Sequence, residues 1–219
     1  MVAWLTSLDA LDPENADENG LVALGGYLDP DLLLMAYRVG TFPWSSDPVV
    51  TWWSPDPRAI FELETFREHR SVRRSTRGWR FSLDEDFLGV MRGCAGPAPG
   101  REETWITPDF VAAYGELHRR GWAHSVEVWE GDELVGGVYG VSIGAYFGAE
   151  SMFHRRTDAS KAALGHLAKV LKSGGYQLFD AQVPSPHLMR MGAIALSRAE
   201  YLERLRRAIA MPARWGAPG

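Results

Sequence analysis

Only one cysteine, Cys94, occurs in the 219 residues, so no intramolecular disulfide can form and a zinc site built on clustered thiolates is excluded. A reducing compartment suits such a chain. No stretch approaches the roughly 18 apolar residues of a membrane span, and the N-terminus lacks the basic segment and apolar run of a secretion signal. The expectation is a soluble, unexported, cytoplasmic protein. GxGxxG, GxxxxGK[ST] and HExxH are all missing, which removes the common dinucleotide, nucleotide and zinc-protease chemistries. Six histidines show no ligand spacing, so no metal site is expected.

Lys and Arg are also missing before Arg38, whereas Asp9, Asp12, Glu14, Asp17, Glu18, Asp29 and Asp31 all precede it. The formal net charge of −5 argues against coating nucleic acid by bulk charge, yet the sign reverses locally. Arg67, Arg70, Arg73, Arg74, Arg77 and Arg80 face a single Glu68. Arg70, Arg73, Arg74 and Arg77 stand three and four apart, which puts them on one helix face where like charges repel. A solvated face is the plain reading; an anion-binding footprint is the sharper one, and the missing counter-charges favour it. Nine tryptophans exceed what a core of this size needs, so some are candidates for stacking or pocket walls.

At 46% hydrophobic and 23% charged, the chain has the makings of a real core. Asp29 as a cap, Pro30 at the first helical position and Gly40 as a stop predict a short helix. Prolines at 43, 48, 55 and 57 confine the early part to short elements. Thr107 with Pro108, Asp158 and Ser197 mark further helix starts, and Gly131-Asp132 a hairpin turn. Asp84 to Arg92 reads as a helix and Gly96 to Gly100 as a loop. Together these predict a mixed α/β (or α+β) fold: a small N-terminal lobe, residues 1–59, packed on a larger domain, residues 60–219. The lobe is too small to stand alone, and the seam is a natural cleft.

Phe147 to Val183 reads as strand, helix, strand, a crossover that implies a parallel pair with neighbouring carboxyl ends. Glu150 would then meet Asp180 and Gln182, which alternation turns to one side. Either the carboxylates do acid/base or orienting work on an amine, or they cap turns and hold an arginine such as Arg155 or Arg156.

Eight motifs occur in fixed order between about residues 12 and 205: Leu21-Val22-Ala23-Leu24-Gly25-Gly26, Ala36 to Trp44 (AYRVGTFPW), Trp52 to Ala59 (WWSPDPRA), Thr104-Trp105-Ile106-Thr107, His124 to Trp129 (HSVEVW), Gly136-Gly137-Val138-Tyr139-Gly140, Glu150-Ser151-Met152-Phe153 and Asp158-Ala159-Ser160-Lys161. In this the chain closely resembles the leucyl/phenylalanyl-tRNA–protein transferase family. The resemblance implies an enzyme that moves Leu or Phe, less readily Met, from aminoacyl-tRNA to proteins beginning with Arg or Lys, marking them for N-end rule degradation. It also implies a GNAT-like C-terminal domain and no metal or small-molecule cofactor, since the ester is already activated.

Carried onto this sequence, the catalytic positions are Asp180, Gln182 and Glu150, with orientation and proton relay as their roles. The resemblance puts Val138, Phe147, Leu164 and Leu167 around the amino-acid side chain. Trp44 and Trp105 match aromatics that stack on the terminal adenosine, with Tyr37 and Tyr114 as nearby candidates. Arg70, Arg73, Arg74 and Arg77 would hold tRNA phosphates. Tyr27 stands where an acidic residue is expected, and Ala181 where a cysteine is common. Two rivals are an acyl-CoA N-acetyltransferase, for which Arg155 to Ser160 lacks the loop glycines, and a non-catalytic tRNA-binding module.

Overall fold

A computed structural model describes residues 3–46, 48–97 and 104–216. Its first part holds β1 (Ala3–Trp4), β2 (Leu21–Leu24), α1 (Pro30–Val39), β3 (Phe42–Ser45) and β4 (Thr51–Trp53). There follow β5 (Arg58–Phe61), α2 (Arg70–Ser75), β6 (Arg80–Leu83), α3 (Phe87–Ala95), α4 (Pro108–Arg119), β7 (Ala123–Glu130) and β8 (Glu133–Ile143). The last part is β9 (Tyr146–His154), α5 (Ala159–Ser173), β10 (Leu178–Gln182), α6 (Pro186–Arg190), β11 (Ile194–Leu196) and α7 (Arg198–Ile209). Residues 98–100 of the expected loop lie outside the described residues.

Local chemistry sets several boundaries. The Asp29 carboxylate accepts from the Asp31 and Leu32 N–H groups, Pro30 opens α1, and Gly40 closes it at φ 94°, a conformation costly for any side chain. Ser197 caps α7 through the Glu200 N–H. Two expected caps are corrected. The Thr107 hydroxyl pairs with that of Ser46 at 2.9 Å instead of capping α4. Asp158, at φ 69°, accepts from the Ser75 hydroxyl and the Lys161 ammonium at 2.9 and 2.7 Å, tying α2 to α5. α2 stops at Ser75, short of Arg77, and α3 starts at Phe87 with Asp86 as its cap.

β1-β2-β4-β3 form a small sheet, and β11-β5-β10-β9-β8-β7-β6 a seven-stranded one. β9 and β10, joined through α5, are the parallel pair, with Asp180 level with Gly148. Two residues further along each strand stand Gln182 and Glu150. One face of the sheet packs Val126, Val138, Phe147 and Phe179 against Ala163, Leu164 and Leu167 of α5. Neighbouring residues such as Tyr139 and Tyr146 turn to the other face, where Phe87, Phe110, Tyr114 and Tyr201 share one core with Leu34, Tyr37, Phe42 and Trp52 of the first 53 residues. The small sheet is thus seated on the large one by common apolar burial. No helix among the described residues is long and apolar enough to cross a membrane.

Candidate active site

The two parallel strands deliver their polar groups to one end of the sheet. The Gln182 Nε2 donates to Glu150 Oε1 at 2.7 Å. The route there departs from simple alternation: β10 is irregular between Asp180 and Gln182, and Gln182 lies at φ 63°. Asp180 and Gln182 therefore do not share a side in the way alternation predicts. A non-glycine residue in that region costs about 1–3 kcal/mol and persists only where its surroundings hold it.

Those surroundings are built on Asp180. Its Oδ1 accepts from the Gln182 N–H at 2.8 Å and from Arg58 Nε at 2.9 Å. Its Oδ2 accepts from Arg58 Nη2 at 2.6 Å and from the Tyr146 and Tyr201 hydroxyls, each at 2.9 Å. Five donors occupy the roughly four lone-pair sites of a carboxylate, and the side chain is fully buried. Arg58 is equally sealed, its guanidinium 4.6 and 4.4 Å from the ring centres of Phe42 and Tyr201. The arginine-holding role is thus real, with Arg58 as the partner. Arg155 donates to the Leu134 carbonyl, and Arg156 pairs with Glu130 and Glu133. Asp180 has no open lone pair to offer an incoming amine.

Glu150 is the carboxyl that does. Burial pushes its pKa up to about 8, the Tyr37 hydroxyl pulls it back, and the nearby Asp180 charge raises it further. A carboxyl that exchanges its proton near neutrality is suited to acid/base work. Its Oε2 accepts from Tyr114 at 3.3 Å, and the Tyr114 hydroxyl bonds that of Tyr37. This corrects the expectation for Tyr37 and Tyr114. Both are buried, at 1% and 0% exposure, so their rings cannot receive a base. They are the hydrogen-bonding wall behind Glu150.

An apolar recess of about 240 Å³ opens beside Glu150, lined among others by Phe61, Val138, Ala149, Met152, Leu164 and Leu188. Of the four residues that the resemblance puts around the amino-acid side chain, Val138 and Leu164 line this recess. Phe147 and Leu167 are not on its wall: both are fully buried, Phe147 stacking on Trp215 at 5.5 Å, and they form the layer beneath. A second cleft of about 200 Å³ shares Ala149, Glu150, Ala181 and Leu188 with the recess and adds Trp44, Trp105 and Gln182. Trp44 keeps 39% of its surface exposed, so its indole is available for stacking. Arg70, Arg73, Arg74 and Arg77 are exposed and make no ion pair among the described residues. Arg70 and Arg73 line a third cleft with Lys169, while Arg77 lies beyond the helix.

Spacing concealed one group of potential ligands. Asp84, His118 and His124 bring one atom each within 4.8 Å of one another. They already hold protein partners, His124 on Asp84 at 2.7 Å and His118 on the Ala123 carbonyl at 2.8 Å.

The family model described as leucyl/phenylalanyl-tRNA protein transferase matches residues 60–206, and the one for the N-terminal domain of the same transferase matches residues 26–56. A leucyl/phenylalanyl-tRNA–protein transferase from a Shewanella species is 50% identical over 192 residues, covering 86% of this chain and 81% of its own. That of Shewanella frigidimarina is 50% identical over 196 residues, covering 87% and 83%. Among solved structures, L-PGS from Bacillus licheniformis aligns at TM-score 0.47 and 12% identity, over 85% of this chain and 72% of that one.

Proposed function

The chain belongs to the leucyl/phenylalanyl-tRNA–protein transferase family, and from that premise we propose that it moves Leu or Phe, less readily Met, from aminoacyl-tRNA to the N-terminal Arg or Lys of acceptor proteins. The product carries a new peptide bond and is marked for degradation by the N-end rule, in the cytoplasm. The observation that carries this reading is the apolar recess opening directly beside the Glu150–Gln182 pair. The recess takes the unbranched side chain, with Val138 and Leu164 on its wall and Phe147 and Leu167 supporting it. A side chain branched at Cβ would meet that wall at the ester end. Trp44 and Trp105, on the adjoining cleft, receive the terminal adenosine. We take residues 1–59 as the lobe that supplies Trp44, and residues 60–219 as the catalytic domain.

Aminolysis of the ester needs a neutral amine, held against the carbonyl, and somewhere for its proton to go. With Nε2 committed to Glu150, the Gln182 Oε1 is left to accept from the incoming N–H. Glu150, in its ionised form, takes the proton as the C–N bond forms. The ribose oxygen leaves with a proton, returned by Glu150 or passed through its neighbouring 2′-hydroxyl. Asp180 is the anchor that keeps Gln182 in place. No cofactor enters, because the ester supplies the activated acyl group.

The test is incubation with Leu-tRNA and a peptide beginning with Arg, read by mass. One added leucine is the expected result; binding of tRNA without any transfer would reduce the protein to a binding module. Reversing two arginines, Arg73→Glu and Arg74→Glu, should weaken tRNA binding more than tenfold at low salt and lower the slope of log K on log salt by about 2, at roughly 0.9 per duplex phosphate contact. Filter binding across a salt series measures both, and an unchanged slope would remove α2 from the tRNA path.

A further inference from the structure

A cleft of about 380 Å³ lies between α6 and the start of α2, where His69, Ser71 and Val72 line it. Its polar lining is Arg67, Glu68, His69, Ser71, Lys161, His187 and Arg190. The one carboxylate there, Glu68, is already neutralised by Lys169 at 3.0 Å. Lys161 shares its charge with Asp158 at 2.7 Å. Arg67 donates only to the main-chain carbonyls of Glu64 and Phe66, which leave its charge uncompensated. The Arg190 side chain makes no ion pair or hydrogen bond among the described residues. The cleft is therefore a concavity with unspent positive charge, which attracts an anion and repels an acceptor peptide that begins with a cation.

Its position is the second observation. At one end it shares His187 with the apolar recess that opens beside Glu150. At the other it shares Phe66, Arg67 and Glu68 with the cleft that holds Arg70 and Arg73. α6 spans the junction, Leu188 lining the recess and Arg190 the cleft. The three concavities thus form a continuous track along which a chain of negative charges can run from the reacting ester to α2.

We propose that this cleft is a binding site for the phosphodiester groups of the unpaired 3′ end of the tRNA, with Arg190, Arg67 and Lys161 as its cations and His187 as a hydrogen-bonding partner. The assignment rests on the transferase reading and adds to it a contact set separate from the exposed arginines of α2. His187 fits the role. Partial burial and the neighbouring Arg190, Lys161 and His154 hold its pKa below the usual histidine value. A bound phosphate opposes those cations and lets the imidazole take up a proton, so binding tightens as pH falls.

The experiment uses the full chain and a 5′-labelled RNA hexanucleotide ending in CCA with a free 3′-hydroxyl, followed by fluorescence anisotropy over a salt series. Arg190→Gln should weaken hexanucleotide binding about tenfold, as expected for loss of one charge-assisted contact. It should also lower the salt slope by about 0.7, the value for one single-strand phosphate. Arg70→Gln should change hexanucleotide binding much less than it changes binding of whole tRNA. His187→Asn should flatten the gain in affinity between about pH 8 and pH 6. Because Arg190 and His187 are exposed, unaltered thermal melts keep the comparison clean. Failure of wild-type protein to bind the hexanucleotide, or an Arg190→Gln variant with unchanged affinity and slope, overturns the proposal. Leucine transfer assayed on the same preparation separates the two levels. If transfer occurs and Arg190→Gln is silent, the cleft assignment alone falls; if wild-type transfers nothing, the transferase reading falls.

Discussion

Replacing Arg58 by methionine should cost about 3–5 kcal/mol of folding stability, the usual result of stripping one partner from a buried ion pair. The reason is geometric. Arg58 and Asp180 are 1% and 0% exposed, so water cannot reach the orphaned carboxylate. Two of its five hydrogen bonds disappear, and the Tyr146 and Tyr201 hydroxyls cannot supply the missing charge. Arg58→Lys should recover only part of the loss, because one ammonium cannot reproduce the two-pronged Nε and Nη2 contact. Where the variants still fold, transfer should fall through kcat more than through KM, since Asp180 also holds the Gln182 N–H. Denaturant unfolding at neutral pH checks the first expectation. A methionine variant within 1 kcal/mol of wild type, scored against that same range, would show that the network is dispensable.

For Glu150→Gln the expected loss is in rate, about 10²- to 10⁴-fold in kcat, the usual worth of a positioned acid or base. The substitution keeps the side-chain size and leaves an oxygen for the Gln182 Nε2, so folding should survive. Wild-type rate should climb as pH rises toward about 8, where Glu150 ionises, and the variant should lose that limb. Stability runs the other way. The folded-state pKa of about 8 lies above the unfolded value of 4.5, so the folded state binds the extra proton. That stabilisation is complete below 4.5 and is lost as pH rises through about 8. Glu150→Gln should therefore gain on wild type in melting temperature as the solution is made alkaline. A variant whose pH–rate profile matched wild type would move the proton acceptor elsewhere.

Much of the architecture was legible because it is local. Asp29, Pro30 and Gly40 state the start and end of α1 within a dozen residues, since capping groups act on N–H and C=O groups one turn away. The strand–helix–strand order of residues 147–183 dictates a parallel pair, and its register sets Asp180 level with Gly148, whereas the irregular step to Gln182 was not legible. Thr107 and Asp158 show the limit of such reasoning. Each has the right residue type for a cap, yet Ser46 and Ser75, distant in sequence, engage the side chains instead.

Order of motifs and local patterning were enough to establish the family, the layered α/β plan and the neighbourhood of Glu150 and Gln182. Depth and pairing came only with the tertiary structure. Arg58 meets Asp180 across 122 positions and Tyr37 meets Tyr114 across 77. Periodicity says which face a residue takes, but not whether that face is later covered, so Phe147 and Leu167 were indistinguishable from Val138 and Leu164. Burial and ion pairing are properties of what the rest of the chain brings alongside, and no single segment contains them.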